Sequence, residues 1–191
     1  MKIVCICGMS SSGKNEIVNR LKKEGIKEIV SYTNRPIRKG EKKDTYNFVN
    51  TKEIEYMIDN LEFLEYRQYK VASGNIWYYG IAKHSIDLNS DNNYVVILDL
   101  HGLEQLKQYL INNNCINCLE SVYIDVDAQE RLLRSLHREG NMQDSQVDEI
   151  VRRFIKDKED FSDYKDKVDY VLKNNDEHDF FKTLEFIKGL Y

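Results

Sequence analysis

The chain has 191 residues, 41% of them apolar and 31% charged; that balance suits a globular protein with one substantial core and room for an inserted subdomain, and excludes a disordered chain. Its formal net charge of −4, from 28 basic and 32 acidic residues, gives no electrostatic case for a nucleic-acid polymer as partner. No apolar run reaches the length of a membrane span, and four cysteines without paired metal-ligand spacing point to a reducing cytoplasm rather than a zinc site.

The first predicted element is a strand at 2–7, whose apolar run is too short for a signal-peptide core. It leads into Gly8-Met-Ser-Ser-Ser-Gly13-Lys14 and a helical pattern over 14–24 carrying Ile17, Val18 and Leu21. Strand, glycine-bounded loop, lysine and helix together wrap backbone N–H groups around a phosphate, with the positive end of the helix dipole behind them. Ser10, Ser11 and Ser12 lie inside that loop, and Lys14 can reach the outer phosphates as a point charge. The next position usually carries a magnesium-binding hydroxyl; here it is Asn15, whose amide oxygen can also ligate that ion. The competing reading is a glycine-rich turn with no ligand.

A second strand is expected at 28–32, after which the segment 32–88 departs from the rhythm of the rest. It holds short strand-like pieces at 46–49, 63–69 and 76–81 around a helical patch at 51–60, and reads as an inserted subdomain. Arg35, Arg38, Lys39, Lys42 and Lys43 gather beside Pro36, with Tyr46 shortly downstream. Two guanidinium forks and a phenol suit one phosphate, while a solvated basic loop is the alternative. Period-two alternation over 61–66 places Phe63 and Glu65 on one strand face. By composition alone Glu65 could equally be a surface carboxylate.

Strands follow at 94–99, 120–125 and 168–173, and helices at 103–112, 128–138, 146–161 and 179–189. Strands alternating with helices predict an α/β fold: a parallel sheet flanked by helices. Asp99 ends the most apolar of these strands, at the carboxyl edge where such sheets bind ligands, although a helix cap there would also be an Asp. Arg134 and Arg138 are four apart on one helix face, with Arg131 nearby, and Arg152 and Arg153 lie on the next helix. The piece 139–145 between them reads as the turn of a mobile lid, with surface ion pairing as the plain alternative for any single arginine.

In order, the phosphate loop, S-Y-T-N-R-P-I-R-K-G-E (31–41), Y-N-F (46–48), E-F-L-E (62–65), Y-Y-G (78–80), I-L-D-L-H-G (97–102), the arginine-rich lid and D-Y-V-L-K-N (169–174) resemble the guanylate kinases from Ile3 to about Asn175. The resemblance implies one P-loop NTPase-type domain: a core of 1–31 and 89–191, a mixed α+β monophosphate-binding insertion at 32–88, and a helical lid at 128–153. It implies transfer of the terminal phosphate of ATP to GMP or dGMP with Mg2+, so that the partners are small nucleotides. Gly8, Ser10, Ser11, Ser12, Gly13, Lys14 and Asn15 would hold the ATP phosphates. Arg35, Arg38, Tyr46 and Tyr79 would hold the acceptor phosphate, while Ser31, Glu65 and Asp99 would address guanine, whose N1–H and 2-amino group suit a carboxylate. Lys14, Arg134, Arg138 and Arg153 would be the catalytic cations, and Asn15 the magnesium residue. No general base is required, because a phosphate monoester has a second pKa of about 6 and is already anionic at neutral pH.

Three positions depart from that pattern. Asn15 lacks the hydroxyl, Ile97 stands where these kinases usually carry an additional Asp, and Ile81 replaces a Ser or Thr near the bound nucleotide. They motivate two other readings: a kinase of another nucleoside monophosphate or a phosphorylated sugar, and a non-catalytic module gripping a phosphorylated peptide. Lys14, Arg35, Arg38 and the lid arginines together favour a catalyst.

Overall fold

The computed structural model describes residues 1–37, 41–71, 74–139 and 144–191. The chain begins with β1 (Ile3–Cys7), α1 (Lys14–Lys23) and the short strands β2 (Lys27–Glu28), β3 (Tyr32–Thr33) and β4 (Asn47–Phe48). Next come α2 (Thr51–Asp59), β5 (Phe63–Lys70), β6 (Ile76–Ala82), β7 (Tyr94–Ile97) and α3 (Leu100–Asn112). The last part holds β8 (Leu119–Asp125), α4 (Ala128–Glu139), α5 (Asp144–Asp160), β9 (Tyr170–Lys173) and α6 (Glu177–Lys188).

Five strands form a parallel sheet in the order β2-β7-β1-β8-β9. All five residues of β1 are buried, as a central strand covered on both faces requires. Ile3, Cys5 and Cys7 pack with Leu103, Leu106 and Leu110 of α3 on one face. Val4 and Ile6 pack with Ile17, Val18 and Leu21 of α1 and Leu184 and Ile187 of α6 on the other. Each such fully buried aliphatic side chain contributes about 1.5–3 kcal/mol relative to exposure.

A second, mixed sheet runs β4-β3-β6-β5 and carries α2, with Ile54, Met57, Phe63 and Ala82 between them. The Asn50 side chain and Glu53 form a reciprocal capping box that starts α2. The expected strand over 28–32 is two strands in different sheets: β2 pairs with β7, and β3 pairs with β4 and β6. The chain crosses from the parallel sheet to the second one between them. The alternation expected for Phe63 and Glu65 also fails. Phe63 pairs with Ala82 but Glu65 with Ile81, a bulge that inserts Leu64 and reverses the side-chain parity. Phe63 therefore faces α2, whereas Glu65 and then Arg67 and Tyr69 face the parallel sheet.

Candidate active site

At the carboxyl end of β1 the loop turns under steric control. Gly8 has φ 151° and Gly13 φ 89°. A side-chain carbon at Gly8 would lie 2.9 Å from the Ile124 carbonyl, and one at Gly13 only 2.5 Å from Asn174 Nδ2. Asn174 earns that proximity by donating to the Ser12 carbonyl at 2.8 Å, which fastens the loop to the strand-end after β9. Ser12 is buried and Ser11 Oγ bonds Ser135 Oγ of α4 at 2.7 Å, so both hydroxyls are taken by the protein. Gly8, Ser10, Lys14 and Asn15 line a cavity of about 590 Å3; Ser11, Ser12 and Gly13 stand behind it.

Lys14 Nζ donates to the carbonyls of Gly8 at 2.6 Å and Met9 at 2.8 Å and to Ser12 Oγ at 3.2 Å. Burial pulls its pKa down to about 8 against the pull of Asp157, and Arg131 and Arg138 depress it further. Asp157, on α5, accepts from the Ser10 N–H at 2.5 Å and lies 3.8 Å from Arg131 Nη1. Arg131 is itself buried and stacked over Phe154, its centre 4.4 Å from the ring.

The arginines of α4 and α5 divide, and residues 140–143 of the turn expected between these helices lie outside the described residues. Arg153 and Arg152 line the cavity, both bonded to Glu149, whose pKa these contacts lower to about 2. Arg138 lies near enough to Lys14 to affect its charge state. Arg134 is not among the residues lining the cavity, yet its Nη1 lies against the loop, 3.8 Å from where a side-chain carbon at Gly13 would stand; it bonds Glu130 one turn away at 2.8 Å and the carbonyls of Asn174 and Asn175 at 2.8 and 2.9 Å. Arg134 thereby joins the end of β9 to the Gly13 side of the loop.

Across the cavity, Ser31, Tyr46 and Tyr79 line the wall formed by the second sheet. The Tyr79 ring touches those of Tyr46 and Tyr69 edge to face, each at 5.7 Å between centroids. Arg35 is only 3% exposed and lies outside this lining. Its fork makes parallel bonds to Glu41, at 2.9 and 2.7 Å, beneath Tyr46 and Phe48. Arg38 lies outside the described residues.

At the far end, Asp99 Oδ1 caps α3 by accepting from the Gly102 N–H at 2.8 Å. Its other oxygen accepts from Tyr69 at 2.7 Å and sits 2.6 Å from Arg67 Nη1. Asp99 is thus a helix cap that also lines the cavity. Burial alone would raise its pKa, but Arg67 and these hydrogen bonds hold it below the usual carboxylate range. Glu65 is buried with Oε2 3.1 Å from Arg67 Nε. Burial raises its pKa to about 7 despite Arg67. Burial works against the Arg67 charge too, yet the two carboxylates raise its pKa.

Sequence reasoning did not single out Arg67, Tyr69, Trp77 or Asp157, all of which line the cavity. Period two along β5 carries the first two from Glu65; Asp157 has no local signal, since only the approach of α5 to the loop reveals it. As for a metal, no group of three or more His, Cys, Asp or Glu side chains among the described residues could hold one. The donor set on hand, the Asn15 amide beside the phosphate loop, fits a magnesium ion held chiefly by phosphate oxygens and water. No described helix is long and apolar enough to cross a membrane.

A family model described as guanylate kinase matches residues 1–188. The chain is 34% identical over 164 residues to the guanylate kinase of Haemophilus influenzae (strain 86-028NP), covering 84% of this chain and 71% of that one. It is 27% identical over 198 residues to the guanylate kinase of Prochlorococcus marinus subsp. pastoris, covering 98% and 97%. Its fold is similar to the crystal structure of guanylate kinase from Anaplasma phagocytophilum, with a TM-score of 0.69 at 23% identity over 99% of this chain and 83% of that one. With its phosphate loop and aromatic second-sheet wall opening on one cavity, and a family match over nearly its whole length, the chain belongs to the guanylate kinase family.

Proposed function

We propose that this protein transfers the terminal phosphate of ATP to GMP, and to dGMP, giving ADP and the nucleoside diphosphate. One observation carries the reading: in a chain of this family, the phosphate loop with Lys14 and the wall of Tyr46, Tyr79, Arg67 and Asp99 face each other across a single cavity. A donor on one side and an acceptor on the other would be held in line, and alignment with charge screening is most of what phosphoryl transfer requires.

In that reaction an oxygen of the acceptor phosphate attacks the terminal phosphorus of ATP. The bond from that phosphorus to its bridging oxygen breaks, and ADP leaves with the electron pair. Lys14 and the Gly8–Asn15 loop hold the donor phosphates. Tyr46, Tyr79 and the Arg35 fork, after exchange of Glu41 for phosphate, hold the acceptor. Arg138, Arg152 and Arg153 screen the charge of the transferring group, and segment 128–153 acts as the lid that excludes water. Magnesium, when bound beside Asn15, supplies further screening of the phosphates.

Ile81 is fully buried opposite Glu65 and offers no hydroxyl at the base end, which favours a second reading: the same chemistry on a different nucleoside monophosphate. Steady-state ADP production measured with magnesium over GMP, dGMP, AMP, CMP, UMP and dTMP separates the two. A kcat/KM for GMP at least tenfold above every non-guanine acceptor supports the first reading, and a different preferred base replaces it with the second.

A further inference from the structure

Both carboxylates at the base end of the cavity are already engaged by protein groups. Asp99 spends one oxygen on the Gly102 N–H and the other on Tyr69 and Arg67. Glu65 has a side chain that is 0% exposed and does not line the cavity, whereas Arg67 does. Neither Glu65 oxygen has a well-aligned hydrogen bond, so Glu65 meets Arg67 as a close counter-charge. A base entering this end therefore faces the donors of a guanidinium before it can reach a buried acceptor.

We propose that Arg67 is the specificity-determining residue of this kinase, donating to O6 and N7 along one edge of guanine, with Glu65 as its buried counter-charge. The proposal rests on the GMP reading above. Guanine presents O6 and N7 as adjacent acceptors that match the arginine fork, the same complementarity by which arginine selects guanine in DNA. Adenine places an amino donor where guanine has O6, so donor would face donor and the buried site would be left unpaired. Strand β5 fixes Arg67 between Glu65 and Tyr69 on one face, and two carboxylates pin its Nε and Nη1 sides, so the fork is held before the base arrives. Ile81, across the strand pair from Glu65, contributes no competing hydroxyl donor for O6.

Two analogues decide the matter in the wild-type enzyme. IMP lacks the 2-amino group but keeps O6 and N7; 7-deaza-GMP lacks only the N7 acceptor. Expected is a kcat/KM for IMP within about threefold of GMP, and a loss of about tenfold or more for 7-deaza-GMP, the worth of a hydrogen bond from a charged donor. Arg67→Met is expected to lose activity with GMP and to treat GMP and 7-deaza-GMP alike. Because that variant strands Glu65, the Glu65→Gln/Arg67→Met double variant repeats the comparison without a buried unpaired charge. A large loss with IMP and none with 7-deaza-GMP overturns the proposal and returns base recognition to the carboxylates. A wild-type enzyme that ignores GMP but phosphorylates another monophosphate overturns the GMP reading itself, and this proposal with it; that result is visible before any analogue is used.

Discussion

The Ser10 backbone N–H donates to the Asp157 carboxylate at 2.5 Å, tying the phosphate loop to the last turn of α5. Asp157 also faces Arg131, 3.8 Å away, so an anion stands between a loop donor and a buried cation. Those are the partners a phosphate oxygen of ATP would seek. Carboxylate and phosphate then compete for the same N–H, and they repel one another.

It follows that Asp157→Asn should tighten ATP binding, by roughly 3- to 30-fold if one charge-assisted hydrogen bond is released from competition. Calorimetric titration of ATP with magnesium and no acceptor measures this directly. Weaker binding by the variant would mean that Asp157 holds the loop in its binding shape and does not compete with the phosphate.

Lys14 gives a prediction in pH. Burial places its pKa at about 8, so in the free enzyme it is charged below that value and increasingly neutral above it. Since kcat/KM reports the free enzyme, kcat/KM for ATP should fall above about pH 8, approaching tenfold per unit. Bound phosphates favour the charged lysine, which makes kcat flatter over the same range. Lys14→Met should remove the alkaline limb and lower kcat by about 100-fold or more, leaving monophosphate affinity within about twofold. A pH–rate profile with the limb intact in the variant would assign it to another group.

Much of this arrangement was legible in the sequence because it is local. A glycine-bounded loop after an apolar strand dictates its own geometry, and Gly8 and Gly13 adopt the positive φ such a loop needs. The apolar run before Asp99 placed it at a sheet edge beside the site. What escaped was set by tertiary structure. The bulge at Leu64 reversed the face of β5, which no alternation count can foresee, and it turned Glu65 away from Phe63 and toward the parallel sheet. Arg134 and Arg138 share a helix face in the sequence, but the bonds of Arg134 to the carbonyls of Asn174 and Asn175, forty residues on, appear only in the fold. Likewise Arg35 reads as a phosphate ligand from its neighbours in the chain, while its bond to Glu41 appears only in the structure.

That Arg35–Glu41 pair is itself testable. Both guanidinium Nη groups bond the carboxylate, the two-pronged geometry that phosphate would use in its place. Arg35→Lys keeps the charge and loses the fork, and should raise KM for GMP by about tenfold with kcat changed less than about threefold. If Arg35 is only a strut for the segment beneath Tyr46 and Phe48, the variant will lower the urea unfolding midpoint and leave KM unchanged.

The pH dependence of stability tests the environment of Glu65. Its folded-state pKa is raised from 4.5 to about 7, first by burial and then by Asp99, with Arg67 opposing. Between those values the folded protein holds a proton that the unfolded chain releases. The corresponding stability is fully present below about pH 4.5 and is lost as pH rises through about 7. A glutamine there has no proton to lose. The stability of wild type relative to Glu65→Gln should therefore decline from pH 5 to pH 8, by an amount on the order of 2–3 kcal/mol. Urea midpoints of the two proteins at both pH values measure the difference and cancel the titration of every other carboxylate. A decline would establish that burial outweighs Arg67 at this carboxylate. A difference that grows with pH instead would mean that Arg67 outweighs burial, holding Glu65 ionised well below neutrality.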